Sequence, residues 1–127
     1  MRRALALAAA LLAWQGAQAL DADERATIAL FERARDSVVY ISTRQEVRDI
    51  WTRNVLSVPR GTGSGFVWDS SGHIVTNFHV VKDARKVFVR LDAGKPIEAE
   101  PVGGAAEYDL AVLRLKTVPK NLRPVPV

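Results

Sequence analysis

An all-β domain, folded as an antiparallel barrel or sandwich behind one short helix, is what this sequence predicts, and three observations predict it. Short runs rich in β-branched and aromatic residues recur between residues 37 and 115, and such side chains suit a pleated, half-buried surface. Turn chemistry separates them, with Asp69-Ser70-Ser71-Gly72 and Asp92-Ala93-Gly94-Lys95 as the clearest cases, since Asp, Ser and Gly support tight turns by local hydrogen bonds or positive φ. A helical period precedes this pattern, near the start of the chain.

Composition sets the outer bounds. At 127 residues, 48% apolar and 25% charged, the chain has the mixture of one globular domain. It holds no cysteine, which excludes a disulfide framework, a thiolate nucleophile and a cysteine metal site. Arg2 and Arg3, an apolar run over residues 4–13 and the small-residue step Ala17-Gln18-Ala19 follow the order of a secretory signal peptide. The apolar run is shorter than the roughly twenty residues a spanning helix needs, so residues 1–19 are expected to be removed and no stable membrane anchor is expected. The product would then be periplasmic or secreted. Loss of Arg2 and Arg3 lowers the net charge from +4 to +2. No basic tract interleaves with aromatics, so nucleic acid is not an expected partner.

The elements follow in order. Residues 20–36 are expected to form the N-terminal helix, capped by Asp21 or Asp23 with Glu24 completing a capping box. Ile28, Phe31 and Ala34 fall at helical spacing and are expected to form one buried stripe. Residues 37–43 (SVVYIST) read as a strand. Residues 44–60 are polar and irregular and read as a long surface loop, with Trp51 covering a small core of its own. Residues 64–68 and 73–76 read as the two strands of a hairpin. Further strands are expected at residues 86–91, 97–102 and 110–115. In the first of these Val87, Val89 and Leu91 alternate with Phe88 and Arg90, so that one face is apolar.

Two residues stand out as chemistry. His79 lies just past a strand, and Asp109 opens a strand thirty residues later. An acidic residue in that place suits a rim better than a core. If Asp109 reaches His79 it accepts the Nδ1 proton, fixes the tautomer and frees the other nitrogen as a general base. Taken by themselves, one histidine and one aspartate in a β domain are more often structural or solvated. His73, at the start of the second hairpin strand, reads as structural. A zinc site built from His73, His79 and Asp109 has no spacing to support it, and neither a metal nor another cofactor is expected.

The surrounding residues carry more. Gly61-Thr62-Gly63-Ser64-Gly65-Phe66-Val67-Trp68, continuing through Thr76-Asn77-Phe78-His79-Val80-Val81, closely resembles the segment around the catalytic histidine of the HtrA/Deg family of trypsin-like serine proteases. Asp109-Leu110-Ala111-Val112-Leu113 resembles that family's segment around its catalytic aspartate. Ser37-Val38-Val39-Tyr40-Ile41 resembles its first strand, and residues 121–127 its approach to the inter-barrel linker. The resemblance implies that residues 37–127 form the first six-stranded antiparallel barrel of a two-barrel fold. It further implies His79 as general base and Asp109 as its orienter, and unfolded or misfolded polypeptides as substrates in protein quality control. A role for residues 44–60 in regulation and subunit contacts and a homo-trimer assisted by the N-terminal helix are also implied.

One part of the family pattern is missing from these residues. No Gly-Asn-Ser-Gly-Gly segment occurs, and no serine follows Ser71. Gly63-Ser64-Gly65 sits in a hairpin without the strand-turn-helix setting of a nucleophile elbow, and its glycines are expected to allow close backbone approach. The sequence therefore reads as a fragment carrying two of three triad members, inactive alone and lacking the second barrel and PDZ domains. The alternatives are a non-catalytic exported barrel that binds polypeptide or a partner protein, and a product that folds poorly.

Overall fold

The structure, a computed structural model, describes residues 20–92 and 94–126. The signal-peptide reading falls on residues 1–19 and so lies outside the described residues. The described residues divide into two compact units, with the boundary between Phe31 and Glu32.

Helix α1 spans Ala22–Ala34. The Asp21 backbone N–H donates to Glu24 Oε2 at 3.0 Å, and the Glu24 N–H donates to Asp21 Oδ1 at 2.8 Å. This reciprocal pair is the capping box foreseen, with Asp21 rather than Asp23 as the cap. The expected buried stripe is absent: α1 buries none of its residues, and Ile28 and Phe31 are both exposed. Helical spacing groups apolar residues on one face, but burial also needs a surface to meet that face.

Six strands close into one antiparallel barrel: β1 Val38–Arg48, β2 Val55–Val67, β3 His73–Thr76, β4 Lys86–Leu91, β5 Ile97–Ala105 and β6 Leu110–Leu115. Their order around the barrel is β1-β2-β3-β6-β5-β4. Alternation fills the interior. Val39 and Ile41 of β1, Val67 of β2, Ile74 of β3, Val87 and Val89 of β4, and Leu113 and Leu115 of β6 point inward, while their neighbours face out with the two-residue period of a strand. Closure leaves no free sheet edge around the barrel. Buried Thr43 and Thr76 donate to the carbonyls of Gly61 and Ser64, so that neither hydroxyl is left without a partner.

Gly65 is required where β2 meets β3. A Cβ there would lie 2.6 Å from the Val75 carbonyl oxygen and 3.0 Å from Ile41 Cδ1. At Gly63 it would lie 2.6 Å from Val80 Cγ2. The Gly-Ser-Gly step therefore serves close packing, as the sequence led us to expect.

Residues 44–60 do not form an irregular loop. β1 and β2 stay paired from Val38↔Phe66 to Arg48↔Val55, with a register shift at Thr43/Arg44. β4 leaves β1 at Arg44, and β3 pairs with β2 at Gly65, Phe66 and Val67. Beyond Arg44 the hairpin continues as a two-stranded arm. The polar composition and Pro59 suggested a loop, but a proline is tolerated on an edge whose N–H needs no partner. Trp51 covers no small core: it is 89% exposed at the tip of the arm.

Candidate active site

The site forms where three segments meet. β3 ends at Thr76, and the chain then makes one helical turn, α2, over Phe78–Val81. His79 is on this turn, just past the strand as the sequence led us to expect. The N-terminal N–H groups of a helix need acceptors, and Asn77, the cap residue, makes no side-chain cap bond. Asp109, just before the neighbouring strand β6, supplies acceptors. Its backbone oxygen accepts from Phe78 N–H at 3.0 Å and from Asn77 Nδ2 at 3.2 Å, and its Oδ1 accepts from His79 N–H at 2.9 Å. The other carboxylate oxygen, Oδ2, lies 2.6 Å from His79 Nδ1.

Asp109 achieves this through an uncommon backbone. It follows a 3-10 turn over Ala106–Tyr108 and adopts the left-handed conformation, φ 52°, ψ 40°. Aspartate tolerates this region better than most residues do. The twist turns both its carbonyl and its carboxylate toward α2. The turn that opens β6 thus also closes the site.

Electrostatics follow from these bonds. The His79 backbone N–H, foremost, and then the His79 ring hold the Asp109 carboxyl below its ordinary range, against partial desolvation. An ionised carboxylate only accepts, so Nδ1 carries the proton and, in the neutral ring, Nε2 keeps a free lone pair. The His79 side chain is 70% exposed, which leaves Nε2 open to a reacting group.

The far end of α2 is also held. Arg60 Nη1 donates to the Lys82 carbonyl, and Val80 rests over Gly63. Phe78 packs against the core and lies 3.4 Å from where a Gly104 Cβ would sit. The sequence assigned no role to Arg60, and quoted Asn77 only as part of the segment around His79, because what each does depends on segments far away along the chain. No local pattern marks such residues.

His73 takes a different partner. Its Nδ1 lies 2.7 Å from Asp69 Oδ2, and its N–H donates to Asp69 Oδ1 at 3.1 Å. Each histidine thus has its own aspartate, and the three residues weighed as a zinc site do not converge on one point.

Comparison with known proteins gives the family of the fold. Residues 63–127 match the trypsin-like peptidase domain family. The chain is 46% identical over 108 residues to "Protease Do-like 1, chloroplastic" of Arabidopsis thaliana, covering 85% of this chain and 25% of that protein. It is 30% identical over 119 residues to a probable periplasmic DegP-like serine endoprotease of Ectopseudomonas mendocina, covering 69% of this chain and 25% of that one. Among solved structures it is similar to the serine endoprotease from Yersinia pestis, with a TM-score of 0.60 and 32% identity over 77% of this chain and 31% of the other. The chain spans about a quarter of the length of the curated relatives it matches.

Proposed function

Since the chain belongs to the HtrA/Deg group of trypsin-like serine proteases, we propose that it supplies the base half of a serine endopeptidase site. His79 is the general base and Asp109 its orienter. The observation that carries this reading is the Asp109 carboxylate, brought from thirty residues away, held on the ring nitrogen and backbone N–H of a histidine whose side chain stays 70% exposed. The ring contact sets the tautomer, and the backbone contact sets the position of the helix that bears it.

The chemistry has a defined order. A serine hydroxyl placed at His79 Nε2 loses its proton to that nitrogen as its oxygen attacks a peptide carbonyl. The imidazolium that results is stabilised by Asp109, and it then gives its proton to the leaving amine. The serine and the oxyanion donors come from a second barrel outside these 127 residues, since no serine follows Ser71. The exposed Val38, Tyr108 and Leu110 are surface on which such a barrel would rest. The substrates are unfolded polypeptides in an exported compartment. The exposed Ile28, Leu30 and Phe31 of α1 are apolar surface of the kind a trimer contact would cover.

Two measurements test this. The 127-residue chain should take no label from a serine-directed fluorophosphonate, and labelling at Ser64 would refute the assignment of roles. Joined to the second barrel of a Deg relative, the chain should cleave denatured casein. Cleavage that persists in the His79→Ala form of that fusion would remove His79 from the mechanism.

A further inference from the structure

Apart from Arg60 at its base, which holds the end of α2, the arm formed by β1 and β2 makes no contact used in the site. Its strands beyond Arg44 pair with each other while β4 and β3 pair only nearer the barrel. Its end is well ordered by hydrogen bonds. Asp49 N–H donates to the Asn54 carbonyl at 2.9 Å, and Arg53 N–H donates to the Asp49 carbonyl at 2.8 Å. Asp49 Oδ1 accepts from Trp51 N–H at 2.8 Å and from Thr52 N–H at 3.2 Å. This turn holds Ile50 and Trp51 out in water at 81% and 89% exposure, the highest among the large apolar side chains of the described residues. Val47 and Leu56, paired across the arm, continue the apolar surface behind the tip.

Charge is concentrated on the same part of the molecule. Arg85 N–H bonds to the Arg44 carbonyl, and Arg60 bonds to the Lys82 carbonyl, so residues 82–86 sit at the base of the arm. Residues 44–60 and 82–86 together hold seven basic and three acidic residues, a net +4, whereas the other described residues sum to −2. Of the three acids, Glu46 faces Arg85, Asp83 faces Arg60, and Asp49 is engaged in the turn. Arg48 and Arg53 bracket the apolar tip.

We propose that this arm docks on the surface of an anionic membrane, with Ile50 and Trp51 entering the headgroup layer and Arg48, Arg53 and the basic base meeting lipid phosphates. Tryptophan favours the membrane interface because its ring is apolar and its N–H is polar. Basic residues beside an apolar tip gain from the negative surface potential. Pairing of two arms is disfavoured, since it would oppose their positive bases; an arm seated on the rest of a second copy is the outcome that sedimentation reads below. The contact is peripheral and not a span: no described helix is long and apolar enough to cross a bilayer.

The test uses the full chain with Trp14→Phe and Trp68→Phe, so that Trp51 is the single tryptophan. Residues 4–13 are themselves apolar, so vesicle pelleting alone would not report on the arm. With phosphatidylcholine vesicles containing one quarter phosphatidylglycerol, Trp51 emission should shift to the blue and be quenched by lipids brominated near the headgroup. With phosphatidylcholine alone it should not. Arg48→Glu with Arg53→Glu should lower the quenched fraction at least about tenfold, and Ile50→Ser should lower it further while the barrel's circular dichroism is unchanged. Unquenched Trp51 at saturating anionic lipid would overturn the proposal. So would equal quenching in neutral vesicles, or a blue shift that appears without lipid and tracks self-association in sedimentation.

Discussion

The molecule contains the same small device twice, once at the turn before β3 and once just after that strand. At the turn, Asp69 receives the His73 backbone N–H at 3.1 Å and the ring Nδ1 at 2.7 Å. After β3, Asp109 receives the His79 backbone N–H at 2.9 Å and the ring Nδ1 at 2.6 Å. In each pair one oxygen takes the backbone and the other takes the ring. What differs is reach and exposure. The first pair is four residues apart, and its histidine side chain is 34% exposed; the second is thirty residues apart, and its histidine is 70% exposed. A histidine–carboxylate pair is thus not evidence of catalysis by its own geometry. The first pair stabilises a turn. The second ties α2 to the start of β6, segments far apart along the chain, and leaves the imidazole largely exposed.

Catalysis separates the two pairs by the widest margin. In a fusion with a second barrel, His79→Ala and Asp109→Asn should each lower kcat by about four orders of magnitude. His73→Ala and Asp69→Asn should leave it within a few-fold. Casein or peptide hydrolysis rates measure both, and comparable losses at the two pairs would dissolve the distinction.

Packing gives the next largest effect. Gly65→Ala forces a Cβ against the Val75 carbonyl and Ile41, and overpacking of this kind costs about 1–3 kcal/mol. Gly65 also pairs with Thr76, three residues before His79. Chemical denaturation should show the loss of stability, and the NMR signal of the His79 Nδ1–H should move while that of His73 stays. Gly103→Ala is the control, because a Cβ there meets nothing within 4 Å. Equal stability of the two variants would mean the barrel does not hold the distant pair in place.

The smallest effect is in acid. At Asp69, partial desolvation works to raise the pKa but is outweighed by hydrogen bonds from His73 and Ser71 and by the His73 charge; at Asp109 the His79 N–H leads the lowering. A carboxyl lowered on folding adds stability that is present at neutral pH and fades as pH falls below about 4. Both groups are partly exposed, and solvent screening keeps each contribution small. Melting temperatures followed from pH 5 downward should fall less steeply in Asp69→Asn and in Asp109→Asn than in the unaltered chain. Unchanged slopes in both would show that neither carboxyl is held by its histidine.

How much of this was legible in the sequence depends on distance along the chain. The hairpin turn at Asp69-Gly72, strands β3, β4 and β6, and the capping box of α1 rest on neighbours a few residues apart, and local pattern disclosed them. The arm was misread because its alternation is masked by charges and Pro59, and only pairing between β1 and β2 reveals it. Ile28 and Phe31 were misassigned to a buried face because a helical period says which residues lie together, not what covers them.

By itself, then, the sequence determined the N-terminal helix, the strands outside the arm, the apolar face of β4 and the two residues worth testing, since strand period, turn chemistry and motif are all short-range. The pairing of the arm, the grip of Asp109 on α2, the hold of Arg60 on its far end and the outward projection of Trp51 were decided only by the tertiary structure. Each needs an acceptor, a neighbour or an open space supplied by a segment that folding alone brings near.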